Sequence, residues 1–80
     1  MTGLKLFTKD DCTKCDYVQE RLPKGIEMEI LNVDTVDGMA EGAFYGILDK
    51  TFPVLVLDDE YVADGSIKVL EKLIELSGTQ

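Results

Sequence analysis

The 80-residue sequence contains no histidine and no tryptophan, and only two cysteines and two prolines. Without histidine the chain cannot run nucleophilic catalysis through a Ser-His or Cys-His pair. It also lacks the imidazole ligands that catalytic zinc sites ordinarily use. Basic residues are scarce as well: eight lysines and arginines against sixteen acidic side chains leave a net charge of −8. Such a field repels phosphate backbones and anionic lipid, so neither nucleic acid nor a membrane surface is expected as a partner. Long apolar runs are missing too. Met1 to Lys9 holds no apolar core of the length a secretory signal needs. The longest apolar stretch, Phe52 to Leu57, is far short of a membrane span. A cytoplasmic location is therefore expected, and in a reducing compartment a cysteine pair serves metal binding or catalysis more often than structure.

What is present is enough for one domain over residues 1–80. Apolar residues make up 45% and charged residues 30% of the chain, a globular balance, and a chain of this size buries about 60% of its unfolded surface. Leu4 to Thr8 is a short apolar run that stops at Lys9-Asp10-Asp11, as a buried strand would. Asp11, Cys12 and Thr13 sit where a helix can be capped, and Cys15, Val18 and Leu22 follow on one helical face. Pro23-Lys24-Gly25 ends that helix. Met28 to Val33 reads as a second strand, and Asp37 is placed to cap a helix running to about Leu48. Val54 to Leu57 is the most strand-like segment. Asp58-Asp59-Glu60 reads as a solvated turn and Tyr61 to Ala63 as a return strand, which makes a hairpin. A final helix carries Ile67, Leu70, Leu73 and Ile74 on one face and ends near Ser77-Gly78. The order is β-α-β-α-β-β-α. A βαβ unit supplies parallel strands and the hairpin antiparallel ones, so an α/β fold with a four-stranded mixed sheet flanked by three helices is expected.

Cys12-Thr13-Lys14-Cys15 lies between the first strand and the first helix. At a helix N-terminus, unpaired N–H groups and the positive end of the dipole favour a thiolate, here that of Cys12. Cys15 lies one turn on and points along the core face of Val18 and Leu22, which leaves Cys12 as the solvent-facing thiol. Cys12 is accordingly the candidate nucleophile and Cys15 the resolving thiol of a disulfide exchange. Lys9 and Lys14 would stabilise the thiolate, while Asp10, Asp11 and Asp16 oppose it. Three alternatives use the same cysteines. A structural disulfide over so short a loop contributes only about 2 kcal/mol, and a structural zinc wants four ligands. A copper or zinc metallochaperone remains the strongest competitor, although copper carriers place a methionine where Asp10 stands.

With that pair after the first strand and Thr51-Phe52-Pro53 heading the third, the chain resembles the glutaredoxins, a branch of the thioredoxin fold. The segment from Thr8 to Cys15 resembles their Lys-x-x-Cys-x-x-Cys stretch, and Thr51-Phe52-Pro53 their Thr-Val-Pro element. The resemblance implies a cis Pro53 beside the cysteines and a Phe52 backbone free to bond an extended thiol substrate. It also implies thiol–disulfide oxidoreductase activity towards protein disulfides, with no permanently bound cofactor. In glutathione-using relatives, residues matching Lys9 and Lys50 bind carboxylates, and the stretch matching Ala63-Asp64-Gly65-Ser66 starts the helix that binds another. Here the glycine pair and acidic residue of that stretch are out of register and the Cys-Pro-Tyr-Cys motif is absent, so glutathione is the lesser candidate co-substrate. The chain is similar in size and motif to the glutaredoxin-like electron donors of ribonucleotide reductase, which thioredoxin reductase reduces. Those two proteins are the implied partners of a monomer. Gly38, Gly42 and Gly46 recur along the second helix and suggest a flat stripe against the sheet, or a docking face for a reductase.

Overall fold

A computed structural model of the chain describes residues 3–78. The elements are β1 (Leu4–Thr8), α1 (Thr13–Glu20), β2 (Glu29–Asn32), α2 (Val36–Tyr45), β3 (Val54–Leu57), β4 (Glu60–Asp64) and α3 (Ser66–Ser77). The strands form one sheet in the order β2-β1-β3-β4. β1 runs parallel to β2, with Leu6 opposite Ile30, and antiparallel to β3, with Leu6 opposite Leu55. β3 and β4 form the expected hairpin, and its register shifts between Leu55 and Val56. Both central residues of the turn, Asp58 and Asp59, have positive φ, the backbone that a tight two-residue hairpin turn requires. Among the described residues, no helix is long and apolar enough to cross a membrane.

Alternation along β1 and β3 splits the core in two, because successive strand residues face opposite sides of a sheet. Leu4, Leu6 and Leu55 meet Val18 of α1 and Val69 and Leu73 of α3 on one side. Phe7, Val54 and Val56 join Val33, Ile47, Phe52 and both cysteines on the other. Lys5 faces this second side and ties it to α2. Its ammonium donates to Glu41 Oε1 at 2.7 Å and to the Tyr45 hydroxyl at 3.1 Å, which in turn donates to Asp59 at 2.6 Å. These hydrogen bonds, Glu41 first, hold the Lys5 ammonium protonated well above its usual range.

Three local expectations are corrected. Thr35, not Asp37, caps α2: its hydroxyl accepts the Gly38 N–H at 3.1 Å. Threonine is a stronger cap than its place in a polar loop suggested, because the backbone at Thr35 is extended as a cap requires. α2 ends at Tyr45, and Gly46 stands outside it as a left-handed cap with φ 70°, so the glycine stripe is Gly38 and Gly42 alone. In α3 the buried residues are Val69 and Leu73, whereas Ile67 and Ile74 are exposed. Leu73 and the half-buried Leu70 keep the expected face, and Val69 takes the place of Ile67 and Ile74 in the contact with the sheet.

Candidate active site

Cys12 is the N-cap of α1. Its backbone is extended, and its sulfur accepts the Cys15 N–H at 3.1 Å, while its carbonyl accepts the Asp16 N–H at 3.1 Å. The cap position is what points the sulfur at the free N–H groups of the first turn, the arrangement that favours a thiolate once the disulfide is reduced. The two sulfurs are bonded to each other, with the Cα atoms 5.2 Å apart. Cys12 is 8% exposed and Cys15 1%. The expectation of a solvent-facing Cys12 is therefore corrected: it is the more accessible of the two, yet nearly covered. Both sulfurs share the apolar cluster with Phe52, a neighbour supplied from far along the chain.

The Phe52-Pro53 bond is cis, and Pro53 is buried at the head of β3. The loop before β3 is attached to the β4–α3 junction at three points. The Thr51 N–H donates to Asp64 Oδ2 at 3.1 Å, and the Gly65 N–H is shared between the Thr51 and Pro53 carbonyls, at 2.9 Å each. The other oxygen of Asp64 accepts the Tyr61 hydroxyl at 2.6 Å. These two donors, the hydroxyl first, hold the Asp64 carboxyl below its usual range. Hydrogen bonds to the charged form have that effect.

The lysines are distributed unevenly. The Lys9 ammonium lies over the Phe52 ring, 5.5 Å from its centroid, so this basic group borders the cysteine cluster. The Lys50 ammonium instead lies over the Tyr61 ring at 4.8 Å, beside Asp64. Lys14 is exposed in the first turn of α1. Gly65 takes φ 86° as the N-cap of α3, with no side-chain capping bond, and Ser66 is the first helical residue. Cys12, Cys15, Phe52 and Lys9 are thus brought together, and Lys50, Thr51, Asp64, Gly65 and Ser66 form an adjoining group. The Asp64 carboxylate, at a half-exposed residue, is hydrogen-bonded to Thr51 and Tyr61. Among the described residues, no group of three or more cysteine and carboxylate side chains is placed to hold a metal ion.

Sequence reasoning missed a second attachment on the opposite flank. The Asp10 N–H donates to Asp34 at 2.8 Å, Asn32 donates to the Asp10 carboxylate at 2.9 Å, and the Asp34 N–H returns to Asn32 at 2.7 Å. These bonds pin the loop that leads into Cys12 to the turn between β2 and α2. The available signal was an asparagine ending a strand three residues before a threonine cap.

No protein-family model matches the chain, and no curated protein matches it. Solved structures do. The crystal structure of the thioredoxin-like protein BC3987 superimposes with a TM-score of 0.64 at 27% identity, over 88% of this chain and 97% of that one. A point mutant of the same protein gives 0.64 at 25% identity, over 89% and 97%. The fold is thioredoxin-like. A Cys-x-x-Cys disulfide at the start of the first helix of such a fold supports a redox role.

Proposed function

We propose that this protein is a small dithiol oxidoreductase of glutaredoxin-like type that reduces protein disulfides. The observation that carries the reading is the Cys12–Cys15 pair in its disulfide state at the N-terminus of α1. In the reduced protein, the Cys12 thiolate attacks one sulfur of a substrate disulfide. A Cys12–substrate bond forms, the substrate S–S bond breaks, and the departing thiolate takes a proton from solvent or a nearby lysine. The Cys15 thiolate then attacks the Cys12 sulfur, closes the Cys12–Cys15 bond and releases the second substrate thiol. Two electrons have passed to the substrate, and a reductase must return them. The difference in burial supports this order of roles, since Cys12 at 8% exposure is the more accessible sulfur and Cys15 is at 1%.

The reductant we favour is a thioredoxin reductase in the cytoplasm, with ribonucleotide reductase among the substrates and no tightly bound cofactor. The commitment of Asp64 to Thr51 and Tyr61 supports placing glutathione second, since that carboxylate lies at the helix start where relatives receive a glutathione carboxylate. The test is reduction of insulin by the protein, supplied with NADPH and thioredoxin reductase in one arm and with reduced glutathione in the other. Cys12→Ser is expected to abolish turnover, and Cys15→Ser to accumulate a mixed disulfide with substrate. Full turnover by Cys12→Ser would overturn the proposal, and stoichiometric copper or zinc in protein purified under reducing conditions would favour a metal carrier instead.

A further inference from the structure

The loop that heads β3 is held on both sides of Phe52 and left open at Phe52 itself. Thr51 is bonded through its N–H to Asp64 and through its carbonyl to the Gly65 N–H, which also reaches the Pro53 carbonyl. Among the described residues, no hydrogen bond engages the N–H or C=O of Phe52. Phe52 is meanwhile buried in the same apolar cluster as both cysteines. A residue anchored by its side chain and its two neighbours, with its own backbone groups free, presents one donor and one acceptor in a fixed direction. An extended substrate segment can pair with these as an added strand.

Asp64 is placed to set that direction. It is the last residue of β4 and pairs with Val54 in the ladder, so its backbone is fixed by the sheet. Its carboxylate is steered by the Tyr61 hydroxyl at 2.6 Å, three residues back in the hairpin. The Tyr61 ring is in turn covered by the Lys50 ammonium. Lys50 and Lys68 both favour the ionised carboxylate. Every part of this chain of contacts ends on the Thr51 N–H, the residue before Phe52.

We propose that Asp64, steered by Tyr61, is a positioning residue for the disulfide exchange: it holds Thr51 so that the Phe52 backbone is aimed at an extended substrate. The inference rests on the dithiol reading above and adds to it the residues that set substrate affinity. Losing a hydrogen bond to a charged acceptor at this joint is expected to raise the KM for insulin about tenfold in Asp64→Ala. Because Asp64 touches neither sulfur, kcat and the rate of Cys12 alkylation in the reduced protein should stay within about twofold. Tyr61→Phe, which removes only the steering hydroxyl, is expected to raise KM about threefold. Asp64→Asn keeps an acceptor for Thr51 and an amide for the Tyr61 oxygen, so it should restore most of the affinity lost in the alanine variant.

Unchanged KM in Asp64→Ala would overturn the proposal. So would parallel losses in kcat, alkylation rate and melting temperature, because those report general unfolding. If Asp64→Ala does not fold, Tyr61→Phe decides alone: a raised KM with unchanged kcat supports the clamp, and an unchanged KM rejects it. Wild-type protein assayed alongside keeps the two readings apart. An inactive wild type rejects the dithiol function and the clamp together, whereas an active wild type with indifferent variants rejects only the clamp.

Discussion

Helix α3 turns Val69 and Leu73 into the sheet and keeps Lys68, Glu71 and Glu75 outside, whereas α2 turns Gly38 and Gly42 inward and leaves Val36, Met39 and Phe44 exposed. Val36 is 86% exposed and Phe44 80%. α3 adheres by burying side chains, which is the usual source of helical stability in a folded domain. α2 adheres by bringing its backbone close. A Cβ on Gly38 would overlap the backbone carbonyl of Asn32, and one on Gly42 would sit 2.8 Å from a Leu48 methyl. The two helices show that a hydrophobic pattern predicts the buried face only where side chains make the contact. Close backbone approach inverts the pattern, because the residue that fits has no side chain at all.

The contrast can be broken at its strongest point by Leu73→Ala. Emptying the buried centre of the α3 contact is expected to cost about 2–5 kcal/mol in urea unfolding. Gly38→Ala attacks α2 instead. Here the obstacle is a carbonyl that already accepts the Thr35 N–H and hydroxyl, so it cannot swing aside, and a loss of about 1–3 kcal/mol is expected. Wild-type stability in that variant would mean that Gly38 does not lie against the Asn32 carbonyl. Gly42→Ala sharpens the comparison. The Leu48 methyl that it meets is a movable end, and alanine gains about 1 kcal/mol of helix propensity over glycine. The net change should stay within about 1 kcal/mol of zero, so two glycines of one helix face are predicted to differ in kind. Phe44→Ala loses the edge-to-face contact with Tyr45, whose ring centroid is 5.0 Å away, and should cost about 0.5–1 kcal/mol despite its exposure.

The smallest effect concerns pH at the joint between β4 and α3. Asp64 has its carboxyl lowered from the ordinary 3.8 by the Tyr61 hydroxyl and then the Thr51 N–H. A carboxyl lower in the folded than in the unfolded state binds fewer protons when folded. Its stabilisation is therefore complete above the unfolded value and fades as pH falls through the folded one. The stability difference between wild type and Asp64→Asn should be constant near neutrality and shrink in acid below 3.8. A difference that grows on acidification would refute that assignment.

Much of the architecture was legible because its signals are local. The short apolar runs of the strands, a cap among Asp11, Cys12 and Thr13, the break at Pro53 and the hairpin turn each depend on a few adjacent residues. The rest depended on partners distant in the chain. Asp37 was read as the cap of α2, and the extended backbone at Thr35 gives that place to Thr35 instead. Ile67 and Ile74 were as periodic as Val69, and only the sheet selected the latter. Cys12 looked exposed because nothing near it in the chain covers it.

By itself, then, the sequence determined the order of elements, the placement of two cysteines one helical turn apart, and the exclusion of histidine chemistry, all consequences of residue type and short spacing. Tertiary structure alone decided that Phe52 joins both cysteines in one buried cluster, that Asp64 holds Thr51, and that Asp10, Asn32 and Asp34 brace the loop before Cys12. Each of these contacts joins residues more than a dozen positions apart. Such contacts form only when strand pairing has already closed the intervening loops, and no local pattern encodes which side chains then meet.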